Sequence, residues 1–124
     1  MIKIDLPKVD VSISERKQPQ DDNAPEIKSI EGFIDLHEIP RDKGGIILFY
    51  NKKDELLLVG KARKLRQRVK KHLEDTVSPL KDHRNEVNRI DVCFVEDPME
   101  REIYETYLIN KLQAKYNVDK VFYK

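Results

Sequence analysis

Two kinds of hydrophobic spacing alternate along the chain. Ile46-Ile47-Leu48-Phe49-Tyr50 and Leu56-Leu57-Leu58-Val59 are continuous apolar runs of strand length, and Asn51 to Glu55 between them are polar turn residues. The pair predicts a β-hairpin. Apolar runs without alternation predict strands covered on both faces, as in a sheet sandwiched by helices. After Gly60 the period becomes helical: Ala62, Leu65, Val69, His72 and Leu73 give one apolar stripe. Val77-Ser78-Pro79 ends that helix, Leu80 to Asn88 predicts a second, shorter one, and Ile90 to Val95 a third strand. Asp97-Pro98-Met99-Glu100 is a helix start, with Asp as N-cap, Pro at the first position and Glu three residues after the cap. The helix is expected to run to about Lys115, burying Ile103, Tyr104, Tyr107, Leu108 and Leu112. Val118 to Tyr123 predicts a closing strand.

The first thirty residues differ. Ile2, Ile4 and Leu6, then Val9, Val11 and Ile13, alternate with polar residues on either side of Pro7, and Ser14 to Lys28 has linker composition. Residues 1–30 read as an N-terminal extension or edge element, and residues 31–124 as the domain. The fold class is α+β: a small mixed three-stranded sheet flanked by helices, in the order β-β-α-α-β-α.

Composition sharpens this picture at one place. The chain of 124 residues balances 24 basic against 23 acidic side chains, a net charge of +1. Yet Lys61, Arg63, Lys64, Arg66, Arg68, Lys70 and Lys71 fall within twelve residues that hold no acid. A run that positive on a neutral chain favours phosphate as its partner over a merely solvated helix face. On a helical projection Lys64, Arg68 and Lys71 lie on one flank of the apolar stripe, and Arg66 and Lys70 on the other. Lys61 joins the first flank if the helix begins early enough. Charged residues make up 38% and the apolar set 39%, which suits a small soluble globule. The sequence has no apolar stretch of bilayer length and no secretory signal pattern. A lone Cys93 fits a reducing cytoplasm.

Glu105 is the other candidate. Leu108, Ile109 and Leu112 follow it at helical spacing, which puts a carboxylate beside apolar positions. Such a group needs a cation from another helix or a metal ion, and spacing leaves the two alternatives open. His37, His72 and His83 have no mutual ligand spacing.

These residues together resemble the GIY-YIG nuclease domain, in particular the nuclease module of the bacterial excinuclease C type. Ile39-Pro40 with Gly45 to Phe49 is similar to the first motif strand and its approach, and Leu58-Val59-Gly60-Lys61-Ala62 to the second. Gly45 and Gly60 are the motif glycines. Leu65-Arg66-Gln67-Arg68 matches the family helix, with Arg68 at the catalytic arginine. Glu105, Leu108-Ile109 and Tyr116-Asn117 match the segment carrying the metal-binding glutamate. The resemblance implies metal-dependent hydrolysis of a DNA phosphodiester in nucleotide excision repair. One Mg²⁺ or Mn²⁺ would sit on Glu105, Arg68 would stabilise charge, and Lys61 would support it. Arg63, Lys64, Arg66, Lys70 and Lys71 would grip the DNA backbone. It implies no small-molecule cofactor or membrane, and leaves room for a repair-protein partner.

The chain departs from the family at both motif tyrosines. Ile47 stands at the first and Leu58 at the second, and neither can move a proton. His72 or Tyr104 could supply a substitute base. The rival reading is a catalytically inactive module that binds nucleic acid or a protein through the basic helix 61–72.

Overall fold

The computed structural model describes residues 7–14, 38–74, 78–117 and 121. Strands β1 (Val11–Ser14), β2 (Gly45–Tyr50), β3 (Leu56–Ala62) and β4 (Arg89–Phe94) form one sheet in the order β1-β4-β2-β3, every pairing antiparallel. Helices α1 (Leu65–Glu74) and α2 (Pro98–Leu112) cover it. The expected α+β class holds, with corrections to the sheet. Among the described residues it has four strands rather than three, and all their pairings are antiparallel. The fourth comes from the N-terminal arm, where Ile13 is buried and pairs with Ile90.

The apolar runs divide between two cores. Ile47, Phe49, Leu57 and Leu58 pack with Leu65, Val69 and Leu73 of α1. Ile46, Leu48, Leu56 and Val59 pack with Leu108 and Ile109 of α2. Complete burial of Leu65, Val69 and Leu73 contributes on the order of 6 kcal/mol. The hairpin register shifts between Phe49 and Tyr50, so Leu57 is the extra residue of a bulge, and Leu57 and Leu58 share the α1 side. Asn51 closes the hairpin: its Oδ1 accepts from the Lys53 and Glu55 amides at 2.9 and 3.0 Å, and Asp54 takes φ 61°.

Three expectations shift. β3 pairs with β2 as far as Ala62, so α1 begins at Leu65 and Lys61 belongs to the strand. Lys61 therefore does not join the helical flank. Leu80 to Asn88 forms turns and a short 3₁₀ segment, Arg84–Glu86, instead of a helix. Helix α2 starts as expected, Asp97 Oδ1 accepting from the Met99 amide at 2.8 Å, and the expected face is inward only in part: Leu108 is buried, with Tyr104 and Tyr107 half-buried against the core. Arg101, Leu108 and Ile109 point inward, while Ile103 and Leu112 are exposed. Arg101 is held inside by donating through Nε to Val95 O and through Nη2 to Glu96 O, both at 2.7 Å. The closing strand expected over 118–123 lies outside the described residues, apart from 121.

Candidate active site

β3 is the edge strand of the sheet, and its free edge is partly closed by the chain after α2. Gln113 ends α2 in the left-handed conformation, φ 52°. Lys115 and Tyr116 then donate their amides to Leu56 O and Leu57 O at 3.0 and 2.7 Å. Asn117 continues the ladder with its side chain: Val59 N–H donates to Oδ1 at 2.9 Å, and Nδ2 donates to Val59 O at 3.0 Å. An amide side chain thus stands in for a strand residue. The Tyr116 ring stacks on His83 at 3.9 Å, and its hydroxyl donates to the Glu86 carboxylate at 2.8 and 2.7 Å. That bond pushes the Tyr116 phenol up to about 12 and holds Glu86 below the usual carboxylate range.

Beyond Asn117 the edge passes into a cleft of about 360 Å³. It is lined by Leu58 to Lys61 of β3, Arg68 and His72 of α1, Glu105 and Ile109 of α2, and Pro79 and Asn117. Because β3 is an edge, both covering helices reach round it. Arg68 and His72 come from one face of the sheet and Glu105 from the other.

The cleft therefore collects five of the twelve residues singled out from the sequence, Lys61, Arg68, His72, Glu105 and Gly60; Gly45, Arg63, Lys64, Arg66, Lys70, Lys71 and Tyr104 lie outside it. Arg68 is exposed and Glu105 half-buried. Lys61 Nζ pairs with the Glu102 carboxylate, one turn before Glu105. Both side chains are more than two-fifths exposed, and such a surface pair is worth about 0–1 kcal/mol. A phosphate can displace Glu102 at little cost.

His72 is held on three sides. Nδ1 lies 2.7 Å from Ser78 Oγ, which also accepts from the Leu80 amide at 3.1 Å. The ring sits edge-on to Phe49, centroids 5.4 Å apart. Nε2 faces Gly60, where a Cβ would lie 3.3 Å from it. That contact is one reason for the motif glycine. Gly45 is more constrained still, since a Cβ there would fall 1.8 Å from Cys93 O.

Tyr104 is not in the cleft. It is half-buried against the α2-side core. Ile47 and Leu58 are 0% and 2% exposed in the α1-side core, and Leu58 also floors the cleft. Exposed Arg63 and Lys64 lie in the bend before α1, and Lys71 with half-buried Arg66 and Lys70 lies on the helix. Sequence reasoning missed Glu102, Ser78 and the hydrogen-bonding role of Asn117. The Tyr-Asn pair after a helix was visible; its use of a side chain as a strand was not.

A metal at this cleft has one carboxylate to bind. Among the described residues no group of three or more His, Cys, Asp and Glu could hold an ion. A lone carboxylate with an amide oxygen nearby excludes a zinc cage and suits Mg²⁺ or Mn²⁺, which keep several waters and lean on substrate phosphate.

A family model described as a UvrC-like GIY-YIG domain matches residues 43–118. The uncharacterized protein YurQ of Bacillus subtilis is 69% identical over 124 residues, covering 100% of both chains. UvrABC system protein C of Methanospirillum hungatei is 38% identical over 91 residues, 69% of this chain but only 17% of that protein. Among solved structures, the magnesium-bound GIY-YIG N-terminal endonuclease domain of UvrC from Thermotoga maritima superposes with a TM-score of 0.59 at 25% identity. That match covers 68% of this chain and 97% of the domain. Three tyrosine-to-phenylalanine point mutants of that domain also hold its catalytic divalent cation.

Proposed function

The chain belongs to the UvrC-like GIY-YIG domain family, and on that premise we propose that it is a metal-dependent endonuclease hydrolysing a DNA phosphodiester, in repair and in the cytoplasm. The observation that carries the reading is the single cleft holding Arg68, His72 and Glu105 around the β3 edge. The Thermotoga domain keeps its cation when a tyrosine hydroxyl is removed, which supports cation binding at Glu105 despite Ile47 and Leu58.

Glu105 would hold the cation, whose chemistry is to polarise the phosphate and lower the pKa of bound water. Arg68 grips the phosphate through its planar guanidinium and offsets the charge that develops on its oxygens. Lys61 leaves Glu102 and adds a second positive charge. His72 takes the proton of the attacking water at Nε2, while Ser78 fixes the ring through Nδ1. Leu58 and Ile109 keep bulk water from the floor. Asn117 sets the edge against which the phosphate lies. Arg63, Lys64, Arg66, Lys70 and Lys71 hold the backbone without reading sequence.

A second reading has its own observation. Ile47 and Leu58 pack fully into the core where the family places tyrosines, as expected of an inactive module that binds DNA or a repair protein through α1. Nicking of supercoiled plasmid by pure protein separates the two. Strand breaks that need Mg²⁺ or Mn²⁺ and stop with EDTA support the nuclease. Salt-sensitive binding without metal-dependent breaks moves the conclusion to the binding module.

A further inference from the structure

Helix α1 stands between two more clefts. One, of about 290 Å³, is lined by Ala62, Arg63, Lys64, Gln67, Arg68 and Lys71. The other, of about 310 Å³, is lined by Arg41, Lys64, Arg66, Gln67 and Lys70. Among the described residues no acidic side chain lines either. Lys64 and Gln67 line both, so they form the ridge between them. The first shares Arg68 with the Glu105 cleft and lies on the flank of the chemistry. The second opens on the opposite flank. There Arg41 comes from the turn before β2, and Arg66 is anchored by its Nε donating to Ile39 O at 2.6 Å.

A ridge with basic walls on both sides complements a groove between two phosphate backbones. A helix with its side chains is about 10–12 Å across, and the major groove of B-DNA is about 12 Å wide. We propose that α1 seats as a ridge in the major groove of a DNA duplex. The strand to be cut runs along the Arg68 flank, and the backbone of the complementary strand lies against Arg41, Arg66 and Lys70. The inference rests on the nuclease reading and states how its duplex is held. Gln67, exposed on the ridge, faces the base edges, where an amide can pair with adenine. A single strand would have to wrap about half the girth of the helix to touch both clefts, roughly 17 Å of turning path. An RNA duplex is excluded by its deep, narrow major groove.

The test compares binding of the full chain, in EDTA, to a DNA duplex, its single strand and the matching RNA duplex. In the Arg41→Ala/Lys70→Ala variant two phosphate contacts are lost. Duplex affinity should fall about 30-fold at 0.15 M salt, and the slope of log affinity against log salt should shrink by about 1.8. Single-strand affinity should stay within about twofold of wild type, and RNA duplex should bind far more weakly than DNA duplex. Arg41→Ala alone should show half the change in slope. Equal losses for single strand and duplex overturn the proposal, as does an unchanged duplex slope or tight RNA-duplex binding. If wild type cleaves but these variants lack the expected losses, groove seating alone falls. If wild type binds no DNA, the nuclease reading falls with it.

Discussion

Asn117→Ala removes the side chain that closes the β3 edge, and its cost can be worked from the geometry. Two hydrogen bonds to the Val59 peptide disappear, at 2.9 and 3.0 Å. Each is worth about 1 kcal/mol net. Val59 is only 1% exposed, so water does not readily replace the lost partners, and the unpaired amide and carbonyl add to the cost. The expected destabilisation is about 3 kcal/mol. For a domain of this size that lowers Tm by about 12 °C. Asn117→Asp keeps an acceptor for the Val59 amide but sets a carboxylate against the Val59 carbonyl, and should lose about 2 kcal/mol. Thermal melting of the three proteins gives the magnitudes, and amide exchange at Val59 reports the site itself. A Tm change under about 3 °C for Asn117→Ala, with Val59 still protected, would refute the claim that this side chain serves as a strand residue.

Other consequences follow from the same region. Tyr116 should titrate at about 12 by its phenolate absorbance, and Glu86→Gln should bring it back toward its ordinary value of 10.0. The linked stability follows from the signs. The raised Tyr116 contributes fully below pH 10.0 and loses its contribution as pH rises through about 12. Glu86, held low, contributes above its ordinary 4.5 and loses its contribution as pH falls through its depressed folded value. Denaturant melts across pH should therefore show the clamp failing at both ends in wild type and not in Glu86→Gln. Gly45→Ala drives a Cβ to 1.8 Å from the Cys93 carbonyl, so it should prevent stable folding, seen as loss of cooperative melting. A folded, fully stable Gly45→Ala protein would contradict the β2–β4 register.

Much of the architecture was legible because it rests on local chemistry. The hairpin, the basic helix and the Asp97-Pro98 start each depend on a few adjacent residues, and all are present. Glu105 stood out as a carboxylate beside apolar positions, and Arg68 stood out through the family resemblance; both line the cleft. What escaped is non-local. Nothing in Val11 to Ser14 says that it pairs with a strand some eighty residues later. The inward face of α2 includes Arg101, a residue that a hydrophobic pattern assigns to solvent, and which bonds to the Val95 and Glu96 carbonyls hold inside. Leu80 to Asn88 has a helical spacing, but its backbone bonds are tight i to i−3 turns, Lys81 N–H to Ser78 O, His83 N–H to Leu80 O, Glu86 N–H to His83 O and Val87 N–H to Arg84 O. Lys61 looked helical because it opens the basic run, and only its pairing opposite Ile46 shows it to be a strand residue. The cleft depended on all of these. It exists because β3 is an edge, and strand order is not written in any one segment.

The central claim is that Arg68 and Glu105, brought round that edge, form the site of cleavage. Its most direct test is the single-turnover rate at which wild type, Arg68→Ala and Glu105→Gln cut an end-labelled DNA duplex in saturating Mg²⁺, with folding checked by melting. Loss of one group that stabilises a transition-state charge costs about 10²–10³ in rate. Both variants should fall by at least that much while remaining folded and binding DNA. Cleavage by either at the wild-type rate would contradict the account.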